Sequence, residues 1–214
     1  MRQIVPTITA VSPNEFAREL EKLDFAKRIH IDITDGKFAP NQTINLNQIY
    51  WNENKKIDLH LMMNEPQKWL HQIIALNPEL VILHAEIENS REILPKIREY
   101  LAKFNIKFGL AILPKTQIEQ IPEMLKIADH VLIFGGNLGF QGGKADLNQL
   151  KKSAEIRKIN STCEIAWDGG ANTENIAEIA QNKVEIINVG SAIAKSENPE
   201  KSYEKMVKIA SEIS

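Results

Sequence analysis

Eight short apolar runs, each followed by a stretch with helical spacing, divide the chain so evenly that few folds remain open to it. The runs are 3–9, 27–34, 57–62, 80–84, 106–112, 130–134, 164–168 and 184–189. Strands separated by helices pair in parallel, because the helix supplies both the return path and the cover for the sheet. Eight such units close into a (β/α)8 TIM barrel of the α/β class. A doubly wound open sheet is the alternative, and the missing Gly-x-Gly-x-x-Gly turn after the first run weighs against it. No linker or low-complexity segment interrupts the 214 residues, so 1–214 is expected to be a single barrel domain.

Local signals support the alternation. Ser12-Pro13-Asn14-Glu15 opens a helix with a cap, a proline at the first position and a glutamate soon after, and Phe16, Leu20 and Leu23 then form a core-facing stripe. Later helices are expected around Trp69, Ile73 and Leu76, from Arg91 to about Phe104, from Pro114-Lys115-Thr116 through Met124, and along Leu147, Leu150 and Ile156. Asn172 or Thr173 is expected to open another, and Asn198-Pro199 the last.

Bulk charge excludes whole classes of partner. Lys plus Arg number 26 against 28 Asp plus Glu, so nothing recruits nucleic acid or an anionic membrane, and a small molecule is the default ligand. The first residues lack the apolar core of a signal peptide and no segment has eighteen unbroken apolar residues, which suggests a cytoplasmic protein. Cys163 is the only cysteine, so a disulfide or a cysteine-built zinc cluster is out, and any metal must sit on histidine and carboxylate.

The second run, Arg28-Ile-His-Ile-Asp-Ile-Thr, carries the chemistry. On a strand His30, Asp32 and Thr34 share one face while Ile31 and Ile33 take the other. In a barrel of this type the active site lies at the carboxyl ends of the strands. His30, Asp32, His60 and Asp168 fall at or near those ends, whereas Asp58 and His130 fall near strand starts and are expected to be structural. Two imidazoles and two carboxylates converging there suit zinc, iron or manganese more than calcium, the plainer reading being a buried hydrogen-bonded polar cluster. His84 and Glu86 share a face of the fourth strand and are expected either to back the ligands or to be satisfied core polars. Trp167 is expected to point outward into the helix layer.

Glycines gather on the other side of the rim. Gly139-Phe140-Gln141-Gly142, Gly169-Gly170 and Gly190-Ser191 follow the sixth, seventh and eighth runs, where such barrels bind phosphate through backbone N–H groups. A phosphorylated substrate is expected. Each glycine alone reads as a turn residue with positive φ.

Assembled, these residues resemble the ribulose-phosphate 3-epimerase family, nearly end to end. The family's His-x-Asp-x-x-Asp-Gly-x-Phe-x-Pro-Asn stands as His30-Ile-Asp32-Ile-Thr-Asp35-Gly-Lys-Phe38-Ala-Pro40-Asn41, and its Asp-x-His-Leu-Met as Asp58-Leu-His60-Leu-Met62. Asp168-Gly169-Gly170, Gly190-Ser191-Ala192 and the looser Asn137-Leu-Gly-Phe-Gln-Gly142 match three further motifs. The resemblance implies that His30, Asp32, His60 and Asp168 hold one divalent cation (Zn, Fe, Mn or Co), and that Asp32 and Asp168 act as two bases. It implies contacts to substrate or phosphate from Thr7, His60, Gly139, Phe140, Gln141, Gly142, Gly169, Gly170, Gly190 and Ser191.

The implied activity is interconversion of D-ribulose 5-phosphate and D-xylulose 5-phosphate. The alternatives are the same epimerisation of a six-carbon ketose phosphate such as allulose 6-phosphate, and a non-catalytic phosphosugar-binding relative. A decarboxylase of related barrels is disfavoured, because those sites resemble an Asp-x-Lys-x-x-Asp array and no lysine stands in the second run. A homo-oligomer is expected from the family. The chain departs from the family pattern at Thr7 in place of serine and at Thr34 and Phe134 in place of methionines. It departs again in the sixth loop, at Leu138, Gln141 and Gly143. Thr34 is expected to make one wall of the pocket more polar, and Phe134 to make another bulkier.

Overall fold

The computed structural model of the chain describes residues 2–140 and 142–213. Strands β1 (Gln3–Ile8), β2 (Arg28–Thr34), β3 (Lys56–Met62), β4 (Leu80–His84), β5 (Lys107–Ile112), β6 (His130–Phe134), β7 (Glu164–Asp168) and β8 (Ile186–Val189) pair in sequence order, all parallel. β8 returns to β1, closing the barrel. Every strand edge is thereby paired.

Around the barrel lie α1 (Pro13–Lys22), α2 (Leu70–Leu76), α3 (Ser90–Ala102), α4 (Pro122–Lys126), α5 (Lys152–Ile159), α6 (Ile176–Gln181), α7 (Ser191–Ala194) and α8 (Pro199–Ser211). Ser12 caps α1 by accepting from the Glu15 N–H at 3.3 Å, and Asn198 caps α8 by accepting from the Lys201 N–H at 3.0 Å. The helix expected through Met124 is instead a 3-10 turn, Ile118–Gln120, followed by α4. Pro122 accounts for the break, since it lacks an N–H and pushes Ile121 out of the helical region to φ −130°. Neither Asn172 nor Thr173 begins a helix. The Asn172 side chain accepts from Glu174 and its N–H donates to Asn175 Oδ1, a turn that delays α6 to Ile176. The short α7 is legible only as Gly190-Ser191 in sequence.

The period of two sorts the strand residues. Ile29, Ile31 and Ile33 of β2 join the core between barrel and helices, as do Leu59 and Leu61, Leu110 and Ile112, and Trp167. Trp167 points outward as expected, with its indole N–H donating to the Gly169 carbonyl at 2.9 Å. A methyl group on Gly135 would lie 2.2 Å from that ring, so only glycine lets β6 turn over it. Val5, Leu80, Ile82, Ala111, Leu132, Ala166 and Ile186 fill the barrel interior.

Below that apolar layer the barrel floor is ionic. Arg28 Nε lies 2.9 Å from both oxygens of Asp58, its other nitrogens reach Glu164 at 2.8 and 3.2 Å, and His130 Nδ1 meets Glu164 at 2.9 Å. Asp58 and His130 therefore belong to the floor. Gln3 Oε1 lies 3.4 Å from Arg28 Nη1 and belongs to the same floor.

Candidate active site

β2, β3 and β7 bring His30, Asp32, His60 and Asp168 to one point at the carboxyl end of the barrel, all of them buried. Asp32 is the hub. Its Oδ1 lies 3.1 Å from His30 Nε2 and 2.9 Å from His60 Nδ1, while its Oδ2 accepts from the Thr9 hydroxyl at 2.8 Å. Burial opposes ionisation of Asp32, but the hydrogen bonds from His30 and His60 outweigh it and hold its pKa well below the carboxylate range. Asp168 goes the other way. Burial raises its pKa, and the nearby charge of Asp32 raises it further.

The four residues fit a metal ion. One ligand atom from each can be chosen so that all lie within 4.8 Å of one another, and the set of two imidazole nitrogens and two carboxylate oxygens suits a divalent transition metal. The outer partners agree. Asn188 on β8 lies 3.0 Å through its Nδ2 from His30 Nδ1, and its buried Oδ1 has no partner. A half-turn of that amide would let Oδ1 accept from His30 Nδ1–H, leaving His30 Nε2 free to face an ion. His84 Nε2 lies 2.9 Å from His60 Nε2, and burial pushes the His84 pKa down to about 4, so this ring is neutral.

Asp32 and Asp168 line a cavity together with Thr7, Met62, Phe134, Gly139, Phe140, Gly142, Gly169, Gly170, Ala171, Asn188, Gly190 and Ser191. Every expected substrate-side residue except His60 and Gln141 is thus on one wall or another. His60 is fully buried behind Asp32, and Gln141 lies outside the described residues. Gly136 and Gly169 pack backbone to backbone: a methyl on Gly169 would come within 2.2 Å of the Gly136 nitrogen. That contact joins the sixth and seventh loops into one glycine-rich shelf.

One expectation changes. Phe134 does line the cavity, with its ring centroid 6.4 Å from that of His84, but Thr34 does not. The Thr34 hydroxyl turns away to donate to the Asn41 carbonyl at 2.6 Å, so it adds no polarity to the wall. His84 is more than a satisfied core residue, since it touches a ligand-type histidine directly. Thr9 and Asn188 were not anticipated. Asn188 carried a signal, a lone polar residue within an apolar strand, whereas Thr9 looked like the end of a β-branched run.

The ribulose-phosphate 3 epimerase family model matches residues 3–194. The ribulose-phosphate 3-epimerase of Helicobacter pylori strain J99 is 29% identical over 203 residues, 92% of each chain. That of Aquifex aeolicus is 33% identical over 172 residues, 77% of this chain and 76% of its own. Among solved structures, 3-hexulose-6-phosphate synthase from Salmonella typhimurium aligns over 100% of both chains with a TM-score of 0.70 at 12% identity. N-(5'-phosphoribosyl)anthranilate isomerase from Pyrococcus furiosus does so with 0.63 at 17%. These two show the shared fold and nothing finer. With this match along most of its length, the chain belongs to the ribulose-phosphate 3-epimerase family and is an isomerase acting on carbohydrates.

Proposed function

We propose that this enzyme, acting as a single barrel domain, inverts carbon 3 of D-ribulose 5-phosphate to give D-xylulose 5-phosphate. One observation carries the reading: two buried carboxylates, Asp32 from β2 and Asp168 from β7, face the same cavity beside a glycine-rich shelf. Inversion next to a ketone removes a proton from one face of the carbon and returns one to the other, so two groups must flank the substrate. Strands on opposite sides of the cluster can supply them. One carboxylate takes the proton from carbon 3, and the other, in its acid form, delivers one to the opposite face.

His30, Asp32, His60 and Asp168 would hold one divalent cation (zinc, iron, manganese or cobalt). Such an ion, when bound, polarises the ketone and stabilises the enediolate as a Lewis acid. The protein's part is orientation and exclusion of water. Thr9, His30 and His60 fix the Asp32 carboxylate, and Met62 and Phe134 present an apolar surface to the reacting carbons. Thr7, Gly139, Phe140, Gly142, Gly169, Gly170, Gly190 and Ser191 take the hydroxyls and the phosphate, with backbone N–H groups suited to the anion. The bulk of Phe134 in this wall favours a five-carbon over a six-carbon ketose phosphate.

The test is proton NMR of D-ribulose 5-phosphate in D2O with metal-loaded protein. Deuterium at carbon 3 together with xylulose 5-phosphate is expected. No exchange, with metal confirmed bound, would sink the assignment, and allulose 6-phosphate would be the next substrate offered.

A further inference from the structure

Phe134 ends β6 with its side chain buried, and its ring has a cavity on either side. One is the catalytic cavity, with Asp32 and Asp168 on its wall. The other, of about 460 Å³, is bounded by Phe134, Leu113, Pro114, Thr116 and Leu138, with the exposed Lys115 also on its wall. Among the described residues Phe134 alone lines both. The ring is held in place. Its centroid lies 6.4 Å from that of His84 with the planes at 67°, an edge-on contact, and a methyl on Gly136 would lie 3.7 Å from its Cζ atom. It therefore reaches from the side of β4 to the backbone of the sixth loop.

The second cavity is built to stay open. Its wall after β5 is braced from two sides: Glu86 accepts from the Leu113 N–H at 2.9 Å and the Thr116 hydroxyl at 2.5 Å, and the buried Lys152 of α5 donates through Nζ to the carbonyls of Leu113 and Pro114 at 2.9 and 3.0 Å. Hydrogen bonds to charged groups are the strong ones, so a loop tied by both a carboxylate and an ammonium resists folding into the space beside it.

The order of strands decides which end of a substrate meets the ring. The glycine shelf follows β7 and β8, Asp168 ends β7, Phe134 ends β6, and the second cavity continues toward β5 and β4. With phosphate on the shelf and carbon 3 between Asp32 and Asp168, the carbon-1 end points at Phe134. One more carbon between carbon 3 and the phosphate drives that end into the ring. We propose that Phe134 is a specificity-determining partition: it stops the carbon-1 end at five-carbon length, and the cavity behind it receives the carbon-1 end of a longer ketose phosphate once the ring is cut back. The inference rests on the epimerase reading of the Asp32–Asp168 cavity, and it names the wall that sets the length of the substrate.

The test compares kcat/KM for D-allulose 6-phosphate and D-ribulose 5-phosphate in metal-loaded protein. In Phe134→Ala the two cavities join, and the ratio of six-carbon to five-carbon activity is expected to rise by about 10–200-fold, the range for one carbon in an apolar pocket. Phe134→Leu should move it the same way by less, and carries the test if the alanine variant does not fold. Met62 lines the catalytic cavity but not the second one, so Met62→Ala widens the site without joining them and should change the ratio by less than about tenfold. Leu138 lines only the second cavity, so adding Leu138→Trp to Phe134→Ala refills it and should return the ratio toward wild type. General loosening of the site would not be reversed in this way. An unmoved ratio in the Phe134 variants, an equal rise in Met62→Ala, or no reversal by Leu138→Trp overturns the partition while the epimerase reading stands. Failure of the wild-type protein to turn over D-ribulose 5-phosphate overturns that reading, and the partition with it.

Discussion

Replacing Asp168 by asparagine separates the two bases. The substitution keeps the side chain's shape but removes its ability to take or give a proton and, with its charge, part of its hold on the cation, so metal occupancy is confirmed before each assay. Among the described residues lining the cavity, the other side chains are Thr, Met, Phe, Asn, Ser and Ala, so Asp32 is the sole remaining carboxylate there and no histidine reaches the wall. Loss of one positioned acid or base costs about 10²–10⁴ in rate, roughly 3–5 kcal/mol of barrier. With no substitute base on the wall, the upper end is expected.

Folding should survive the change. Burial and the charge of Asp32 already disfavour the ionised form of Asp168, so a neutral group there relieves repulsion, and the metal-free variant should melt no lower than wild type at neutral pH. The informative assay is deuterium exchange at carbon 3, run separately from each epimer. The epimer whose proton faces Asp32 should still exchange without converting, and the other should do neither. Turnover within about tenfold of wild type would remove Asp168 from the mechanism, and loss of exchange from both epimers with metal bound would refute the division of faces.

Arg28→Met strips the partners from Asp58, a carboxylate with no exposure, and should cost about 3–5 kcal/mol in denaturant titration; adding Asp58→Leu should restore most of it. Glu164 resists ionisation through burial, but His130 and Arg28 outweigh that and depress its pKa, so its contribution is full above pH 4.5 and is lost as pH falls through the lower folded value. Glu164→Gln should therefore flatten the acid limb of a stability–pH curve, and an unchanged limb would dismiss the floor network. A methyl on Gly139, where φ is +82°, would lie 2.0 Å from Asn41 Oδ1, so Gly139→Ala should displace the sixth loop and raise KM more than it lowers kcat. Stripping the ion with a chelator should lower the melting temperature, by an amount equivalent to about 4 kcal/mol for zinc previously held at 1,000 times its Kd; no shift would mean that zinc does not bind the folded cluster.

What sequence could and could not reveal follows from how each contact is made. The barrel was legible because it rests on a repeated local pattern: β2 alternates apolar and polar residues, and the register pairing Asp32 with His60 and Phe134 with Asp168 follows once parallel strands close. The ligand set was legible for the same reason, since position along a strand decides which end of the barrel a side chain reaches. Helix bounds were less so wherever a proline or an asparagine side chain competed locally, as at Pro122 and Asn172.

The contacts that orient the site were the least legible, because they depend on distances across the barrel and on side-chain rotation. Thr34 shares a strand face with Asp32, but its hydroxyl follows the Asn41 carbonyl of a loop that periodicity does not place. Thr9 lies just beyond β1 and reaches Asp32 only because the chain continues past the strand end. Asn188 meets His30 across the seam where β8 closes on β1, the one pairing that no neighbouring segment encodes. His84 lies beside His60 through shear between β3 and β4, where the register sets His60 opposite Ile82 rather than His84. The stagger that closing a barrel requires therefore sets ligand beside support, and that stagger is a property of the whole ring rather than of any one strand.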